Sequence, residues 1–377
     1  MISIIGAGPS GSYLAYLLAK SGMEVQIFED HKCVGVPIQC TGILTESFLE
    51  IIEPKKEFLV NTISRISVNS PNNSRAVLEM KKKDYIVNRT LFDNYFCSLA
   101  VDNGAKLFLN HRFLDFKNGV MEIKDNYNSK IKKIKTDILV GADGPLSSVA
   151  KSAGIYGKRK ILIGMQAVIK MQCEKNKFDT YFGSAFPKFF GWFVPEADDI
   201  ARVGLAAEDN PKQYFDEFIK KFNGRVLEIQ AGPIPVYNPE IQIQKENIYL
   251  VGDAACQIKN TTGGGIVFGL IGAKILADCI INNTQTETND QRPMANIKDY
   301  QKEIKKKLGK DLMAHYYMRK VLDRFTDKDY NKLVELVKQE KVKNILENFD
   351  REFPSKFIAK LLLTEPRFLW FGRKLFW

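Results

Sequence analysis

The segment at residues 6–11 reads GAGPSG and has the glycine spacing of a turn that binds the pyrophosphate of a dinucleotide. In such a turn Gly6 permits a tight bend. Gly8 lets the backbone approach the pyrophosphate, where a Cβ would collide. Gly11 allows the following helix to pack closely on the preceding strand. The chemistry predicted for this segment is therefore the binding of a dinucleotide.

The flanking sequence supplies the context that a glycine pattern alone lacks. Apolar residues 2–5 predict a buried strand, and residues 12–21 have helical apolar spacing. Pro9 and Ser10, within the turn, are further candidates for cofactor binding, and the free N–H groups and partial positive charge at the start of the following helix face the anion. Glu29, at the end of the next predicted strand, can accept hydrogen bonds from ribose hydroxyls. A chance glycine-rich turn is the alternative.

Two distant segments decide which dinucleotide is expected. Residues 141–151 (GADGPLSSVAK) follow an apolar run, and residues 247–255 (NIYLVGDAA) predict a strand that ends at Gly252 and Asp253. With the opening turn, they resemble the flavoprotein family that includes p-hydroxybenzoate hydroxylase, over roughly residues 1–282. The resemblance implies that the cofactor is FAD.

The same resemblance assigns individual residues to the cofactor. Asp253 would contact the ribityl hydroxyls or the pyrophosphate, and Arg89 in the segment YIVNRTLFD matches a cofactor-contacting arginine. Asp143 is a further cofactor candidate. A strand end and a turn would explain Asp143 and Gly144 equally well.

A second glycine segment lies ten residues past Asp253. Gly263, Gly264 and Gly265 precede a predicted helix that begins at Ile266. Glycines there would let the backbone reach the isoalloxazine ring. The positive end of the helix would face the N1/O2 edge of the ring, which is negative in the reduced state. We therefore expect the site to favour reduced flavin.

Two further segments resemble the geranylgeranyl reductases among these flavoproteins. Residues 36–42 (VPIQCTG) resemble their cysteine loop, and residues 187–195 (PKFFGWFVP) resemble their PxxYxWxFP motif. Phe190 stands in place of the motif tyrosine, and Val194 in place of its last phenylalanine. The resemblance implies a reductase that saturates isolated C=C bonds of geranylgeranyl chains on archaeal-type membrane-lipid precursors, with hydride from flavin N5.

Cys40 is the candidate catalytic residue, and it is also expected near the cofactor ring. An unactivated alkene accepts hydride poorly, so protonation or polarisation must accompany the transfer. A thiol at residue 40 could shuttle that proton or shape the pocket. A small packed thiol in a loop is the alternative.

A polyprenyl chain has no hydrogen-bonding groups and must be held by apolar surface, at about 25 cal/mol per Å². The segment around residue 190 is rich in aromatic residues. Phe190, Trp192 and Phe193 are predicted to contact the substrate. An ordinary aromatic β core is the alternative.

The elements around these residues predict an α/β fold with a Rossmann-like FAD-binding domain, an inserted antiparallel β-sheet that forms the substrate domain, and a helical C-terminal region. The fold type expected for the first domain is that of p-hydroxybenzoate hydroxylase and glutathione reductase. The predicted boundaries are 1–157 plus 245–283 for the FAD-binding domain, 158–244 with part of 60–87 for the inserted sheet, 283–295 for a polar linker, and 296–377 for the helical region.

The charge is concentrated in the last part of the chain. The net charge is +11, and residues 301–377 contain 19 Lys and Arg against 11 Asp and Glu, a balance of +8. A basic region of this kind suits an anionic partner, and because no nucleic-acid-binding module is recognisable, phospholipid head groups or an acidic protein are the candidates. A solvated helical surface is the alternative. Residues 354–377 combine six aromatic and five basic residues with one acid, as interfacial segments do. A terminal helix docked on the protein body is the alternative.

Cysteine spacing and hydropathy argue against metalloproteins, membrane-spanning proteins and secreted proteins. The six cysteines form no CxxC pair and no Cys/His cluster, which argues against zinc and iron–sulfur sites. No apolar run reaches the roughly 18–20 residues that span a bilayer, and no signal-peptide pattern is present. We therefore expect a cytoplasmic protein, peripheral at the inner membrane face.

Three rival functions share the predicted fold or cofactor. An FAD-dependent aromatic monooxygenase would consume O2 and NADPH. A flavoprotein dehydrogenase would pass electrons to quinone, although its relatives generally carry an iron–sulfur cluster. A flavin-binding lipid carrier or redox sensor would bind FAD without turnover. The sequence leaves open whether NAD(P)H or a ferredoxin-like protein supplies the electrons.

Overall fold

The structure is a computed structural model that describes residues 1–286 and 300–375, with the backbone alone for 284–286. Its strands are β1 (Ile2–Ile5), β2 (Val25–Phe28), β3 (Ile43–Thr45), β4 (Leu59–Asn69), β5 (Arg75–Val87), β6 (Lys106–Phe108), β7 (His111–Lys117), β8 (Val120–Asp125), β9 (Ile131–Lys135), β10 (Ile138–Gly141), β11 (Ile161–Lys170), β12 (Lys177–Tyr181), β13 (Gly191–Pro195), β14 (Ile200–Ala207), β15 (Arg225–Pro235), β16 (Gln244–Lys245) and β17 (Ile248–Leu250). Its α-helices are α1 (Pro9–Lys20), α2 (Arg89–Asp102), α3 (Ser148–Ser152), α4 (Pro211–Ile219), α5 (Ile266–Thr286), α6 (Tyr300–Lys307), α7 (Gly309–Leu322), α8 (Asp327–Val337), α9 (Glu340–Asn348), α10 (Ile358–Thr364) and α11 (Phe368–Gly372).

The first sheet has six strands in the order β16-β17-β10-β1-β2-β6, and all its neighbours are parallel except β16 and β17. Strands β1, β2, β10 and β17 are buried along their whole length, as expected for a parallel sheet covered on both faces. Helix α1 follows β1 directly and packs against α2 and α5. The Rossmann-like prediction is confirmed.

The second sheet has eight strands in the order β15-β11-β14-β13-β12-β4-β5-β3. Its pairs are antiparallel except β12 with β4, which run parallel. Strands β11–β15 come from the predicted insert. The other three strands come from residues 43–87, a wider contribution than the predicted part of 60–87. The difference is β3, a three-residue strand too short to produce a period-2 pattern in the sequence.

A smaller sheet of three antiparallel strands, β7-β8-β9, lies beside the first sheet, where α3 packs against β7. Helices α8 and α9 pack against β5 of the second sheet, so the chain after residue 300 covers part of it. Helix α8 begins with a capping box in which Thr326 and Asp329 satisfy each other's backbone groups. The predicted helical C-terminal region is confirmed for the described residues. The predicted linker begins inside the end of α5, and residues 287–299 lie outside the described range.

Helix α5 corrects one expectation. Residues Ile266–Asn283 have a mean hydropathy of 1.6, so this helix is long and apolar enough to cross a membrane by length and composition alone. Of this stretch, 56% is buried inside the protein, and the helix packs against α1. A core helix passes the same test as a membrane span. Lys274 and Asp278 interrupt its apolar residues, and these two charges hide the length of the helix from a search for uninterrupted apolar runs.

Candidate active site

A cavity of about 550 Å³ lies between the two large sheets. At one end its wall consists of the turns that follow β1 and β17 and the glycine segment before α5. At the other end its wall consists of aromatic and aliphatic side chains from the second sheet. Ligands of open α/β sheets bind at the carboxyl ends of the strands, where these turns lie. The cavity therefore joins the predicted cofactor region to the predicted substrate region.

The three glycines of the first turn have different surroundings. Gly6 has φ +102°, and a Cβ there would overlap the carbonyl oxygen of Ala142. A Cβ on Gly11 would overlap the carbonyl oxygen of Gly6, so helix α1 packs directly on the turn. A Cβ on Gly8 would meet nothing within 4 Å, and Gly8 lines the cavity. Gly6 and Gly11 are therefore required by the packing of the protein's own backbone, whereas the open space at Gly8 leaves room for a ligand.

Pro9 and Ser10 occupy the first turn of α1 and line the cavity. Gly252 has φ +63°, and a Cβ there would lie 2.7 Å from Ser10 Oγ. The turns after β1 and β17 are therefore in contact, as required if both hold one cofactor.

Glu29 lies at the end of β2 but does not line the cavity. Its Oε2 accepts a hydrogen bond of 2.9 Å from the backbone N–H of Ala7, and its Oε1 lies 2.6 Å from Nδ1 of His31. The carboxylate thus binds the backbone of the glycine turn on the side away from the cavity wall. Its predicted contact with a ribose remains a prediction.

Asp253 follows β17 in the 3₁₀ helix Gly252–Ala255 and lines the cavity. Burial raises the pKa of its carboxyl to about 6, and the nearby Arg89 opposes this effect. Ligand hydroxyl groups that donate hydrogen bonds to this carboxylate would stabilise its charged form.

Arg89 is the first residue of α2, after the N-cap Asn88, and it lines the cavity. Its Nε and Nη2 donate hydrogen bonds of 3.0 and 2.9 Å to the two carboxylate oxygens of Asp93. Burial lowers the pKa of Arg89, but Asp93 and Cys40 raise it by more, so the guanidinium stays charged. A fixed cation therefore stands beside Cys40 and Asp253.

The carboxylate of Asp143 forms hydrogen bonds within the turn that follows β10. It accepts hydrogen bonds from Ser147 Oγ (2.6 Å) and from the backbone N–H groups of Ser148 (2.7 Å) and Val149 (3.1 Å). The cavity wall here is formed by Ala142, Gly144 and Pro145, without Asp143. These contacts favour the structural alternative for Asp143, because its carboxylate oxygens cap the start of α3.

Gly263, Gly264, Gly265 and Ile266 all line the cavity, and α5 begins at Ile266. The backbone of Lys259 closes this segment: its N–H donates to Gly264 O (3.1 Å), and its carbonyl accepts from Gly263 N–H (2.8 Å). The glycines are therefore held open towards the cavity at the positive end of a long helix. This is the arrangement predicted for the ring end of the cofactor.

Cys40 lines the same cavity and is partly exposed. Its Sγ accepts a hydrogen bond of 3.4 Å from the N–H of Gly42, and its carbonyl accepts one of 3.0 Å from Nη1 of Arg202. The structure thus brings the predicted catalytic thiol next to Arg89, in the same cavity that residues 263–265 line.

A buried polar network that the sequence did not reveal supports the cysteine loop. Gln166 Oε1 accepts from Thr41 Oγ1 (2.7 Å) and Trp192 Nε1 (3.3 Å), and Gln166 Nε2 donates to Gln230 Oε1 (2.7 Å). Arg202 Nη1 also donates to Gln230 Oε1 (3.3 Å). The loop of Cys40 is therefore tied to the strand that carries Trp192. A buried glutamine in a β-strand has no sequence signature.

The apolar end of the cavity includes Phe190 and Trp192, and their contact with a substrate remains a prediction. Phe193 does not line it, which corrects the prediction that this residue contacts substrate. Successive residues on β13 point to opposite faces, so Phe193 packs behind the sheet and stacks on Phe222 at 5.2 Å between ring centroids. The cavity wall gains other apolar residues instead: Ile66, Val68, Leu78, Met80, Phe178, Phe182 and Phe189.

The chain after residue 340 completes the wall, which the sequence did not predict. Leu346, Phe349, Arg351 and Phe357 line the cavity. Arg351 pairs with the buried Asp84 of β5. Of these four residues, Phe357 alone belongs to residues 354–377, the segment whose aromatic and basic composition stands out in the sequence.

Comparisons with known proteins agree with this geometry. The family described as FAD binding domain matches residues 1–221. The digeranylgeranylglycerophospholipid reductase of Methanocaldococcus jannaschii is 29% identical, over 98% of this chain and 96% of that protein. The enzyme of the same name from Methanococcus aeolicus is 29% identical over 89% of each chain.

Solved structures share the fold. A geranylgeranyl bacteriochlorophyll reductase-like protein from Thermoplasma acidophilum superposes with a TM-score of 0.84 at 22% identity, covering 97% of this chain and 96% of that one. The flavin-dependent brominase Bmp2 superposes with a TM-score of 0.70 at 16% identity, covering 99% of each. At these identities the likeness establishes the architecture alone.

Proposed function

Because this chain belongs to the FAD-binding domain family, we propose that it is an FAD-dependent reductase that saturates isolated C=C bonds in the geranylgeranyl chains of isoprenoid membrane-lipid precursors. The observation that carries the proposal is the cavity that joins glycine-rich turns at strand ends to an apolar, aromatic wall. The names of relatives that match along nearly the whole chain support the lipid substrate.

The chain's residues fit an FAD molecule. Gly8 leaves open space at the N-terminus of α1, Asp253 offers a carboxylate, and residues 263–265 expose backbone at the start of α5. When bound, FAD supplies the hydride. Phe190 and Trp192 would hold the polyprenyl chain by apolar contact and exclude water from it.

Cys40 is our candidate for the group that carries a proton, at Sγ. Arg89 fixes a positive charge beside it, and the network through Gln166 and Arg202 holds its loop. The thiol lines the cavity, where a side chain with a transferable proton could act as the general acid for the alkene carbon. A Cys40→Ser variant that keeps full turnover would remove this role and leave Cys40 as a wall residue.

The decisive experiment is an anaerobic single turnover. The purified yellow protein is reduced with dithionite, so the result does not depend on whether NAD(P)H or a ferredoxin-like protein is the natural donor. A geranylgeranyl lipid is then added. Flavin reoxidation is followed by absorbance, and the molecular mass of the product is measured by mass spectrometry. We expect reoxidation with a gain of one H2 per double bond. Absence of reoxidation under these anaerobic conditions, followed by oxygen consumption coupled to a hydroxylated product once air is admitted, would instead support the monooxygenase alternative.

We also propose that the protein works in the cytoplasm, peripherally at the inner membrane face, with α10 and α11 against an anionic lipid surface. Leu363, Leu369 and Trp370 leave 83%, 57% and 40% of their surface exposed. Lys360 and Arg373 on the same segment are exposed as well. Apolar side chains next to cations suit an anionic bilayer interface. Residues 376 and 377 lie outside the described range.

Sedimentation with phosphatidylglycerol vesicles tests this surface. A Leu363→Asp/Leu369→Asp variant should bind vesicles roughly tenfold more weakly, because two apolar contacts are lost and two negative charges face the lipid. Ile131→Asp/Ile229→Asp, at residues 57% and 60% exposed elsewhere, is the matched control with the same charge change. Equal binding by both variants would contradict the proposed surface.

A further inference from the structure

Lys259 is a buried cation at the cavity wall. Its Nζ forms an ion pair of 2.5 Å with Oε2 of Glu352, and the two side chains are only 9% and 1% exposed. Lysine is almost never buried in this way unless it is paired, because removing its charge from water is costly. A buried ion pair is weak evidence for added stability, so its place beside the cavity calls for another explanation.

The ammonium group lies against the glycine segment that precedes α5. A Cβ built on Gly264 would lie 3.1 Å from Lys259 Nζ. The backbone of Lys259 is hydrogen-bonded to Gly264 and Gly263, so the residue that carries the ammonium group is anchored to this segment. Lys259 thus adds a full charge to the partial charge of about +0.5 that a helix N-terminus carries.

The groups that face Lys259 come from three other elements. Glu352 belongs to the segment after α9, and its Oε2 also accepts from Thr45 Oγ1 at 2.8 Å. Within the described part of the chain, Glu352 Oε1 is buried and has no hydrogen-bond partner. Asp84 of β5 feels the charges of Lys259 and of Arg351. His315 of α7 faces Lys259 as well, and that cation lowers the pKa of the imidazole beyond the effect of burial.

We infer that Lys259 is an electrostatic residue for the reduced flavin, stabilising negative charge at the ring edge next to residues 263–265, and that Glu352 opposes this effect. The inference rests on the proposed binding of FAD but not on the identity of the lipid. Glu352 lies between Arg351 and Phe357, which line the cavity. The segment that closes the substrate cavity therefore also sets how strongly Lys259 favours reduced flavin.

Measurement of the midpoint potential of the bound flavin in two single variants tests the inference. Lys259→Met removes the cation and should weaken binding of reduced relative to oxidised FAD by about tenfold, a fall of about 30 mV for a two-electron couple. Glu352→Gln removes the opposing charge and should raise the potential by a similar amount. If the ion pair were purely structural, either substitution would break the same contact. The two variants would then not shift the midpoint potential in opposite directions.

A second readout is the dependence of the potential on pH. An anionic reduced flavin takes up one proton per two electrons, whereas loss of the cation should move the uptake towards two, so the slope should steepen in Lys259→Met. Lys177→Met is the control, since Lys177 is also largely buried (15% exposed) and paired with Glu174, but does not line the cavity. Its potential should match the wild type.

If Glu352→Gln fails to fold, the double variant Lys259→Met/Glu352→Gln removes both charges together, and its potential should lie above that of Lys259→Met and near the wild-type value, because the two opposite shifts cancel. Potentials that shift in the same direction in both single variants, or that do not shift, would overturn the inference. A yellow protein that fails to reduce geranylgeranyl lipid would refute the proposed substrate while leaving this measurement intact.

Discussion

The two ends of the cavity are built in different ways. At the cofactor end, the wall is mostly backbone, and its shape depends on glycines whose missing side chains leave space. At the substrate end, the wall is side chains from strands that are far apart in sequence, closed by a segment after residue 340. The cofactor end is therefore sensitive to the addition of single carbon atoms, and the substrate end to the loss of large side chains.

The largest expected effect on ligand affinity is at the cofactor end and separates two kinds of glycine. Gly8→Ala adds a Cβ with nothing within 4 Å, so the unliganded chain should fold normally. FAD affinity should nevertheless fall roughly tenfold to a hundredfold, because the pyrophosphate must shift and such overpacking costs about 1–3 kcal/mol. Fluorescence titration of apoprotein with FAD measures this, with circular dichroism as the check on folding.

Gly11→Ala should behave differently, since its Cβ would overlap the carbonyl oxygen of Gly6. We expect a lower thermal midpoint in the apoprotein as well as weaker FAD binding. Gly372→Ala, where a Cβ meets nothing within 4 Å, is the control. Unchanged FAD affinity in Gly8→Ala would mean that the cofactor does not approach this turn.

At the substrate end, neighbouring residues on β13 should give opposite phenotypes. Trp192→Ala removes a cavity wall residue, so kcat/KM for a geranylgeranyl lipid should fall by about tenfold or more. Phe193→Ala removes a side chain packed behind the sheet and should lower the free energy of unfolding by about 3–5 kcal/mol. The kcat/KM of the folded fraction should remain near the wild-type value.

Steady-state kinetics and denaturant unfolding of both variants check this pair. A loss of kcat/KM in Phe193→Ala as large as that in Trp192→Ala would contradict the placement of Trp192 on the cavity face of β13 and of Phe193 on the opposite face.

This difference between the two ends also explains what the sequence could predict. The glycine turn at residues 6–11, Gly252 with Asp253, and the glycines at 263–265 were identified because backbone requirements are local and leave short patterns. Phe193 was misassigned because it was chosen from the aromatic composition of its segment, and composition does not say which face of a strand a residue occupies. Lys259 was missed since its role depends on Glu352, 93 residues away.

A smaller effect is expected from the carboxyl group at the cofactor end. In the folded protein the pKa of Asp253 is raised from 3.8 to about 6, so the folded state binds the proton more tightly than the unfolded state. The stability from this group is therefore fully present below about pH 4 and is lost as the pH rises to about 6. Asp253→Asn should remove this loss, and the apoprotein should gain up to about 3 kcal/mol at pH 7.

The same variant should bind FAD more weakly if Asp253 accepts hydrogen bonds from the cofactor. Unfolding of the apoprotein at pH 4 and pH 7 measures the stability, and FAD titration at pH 7 measures the affinity. An apoprotein whose stability is equally reduced at both pH values would indicate a structural hydrogen bond in place of a desolvated carboxylate.

The smallest effect is expected behind the substrate end, where the pH dependence has the opposite sign. Burial in the helical region lowers the pKa of His315 from 6.5 to about 3, with Lys259 adding to the effect. The unfolded chain takes up a proton below about pH 6.5 while the folded protein does not, so the stability is complete above that pH and falls by at most about 1.4 kcal/mol per unit as the pH drops.

In His315→Gln, which cannot be protonated, the loss of stability between pH 7 and pH 5.5 should be smaller than in the wild type. Denaturant unfolding at several pH values checks the slope. If both proteins lose stability equally over this interval, His315 is protonated in the folded state, and its hydrogen bond to Thr261 (2.7 Å) must then be made by a charged ring.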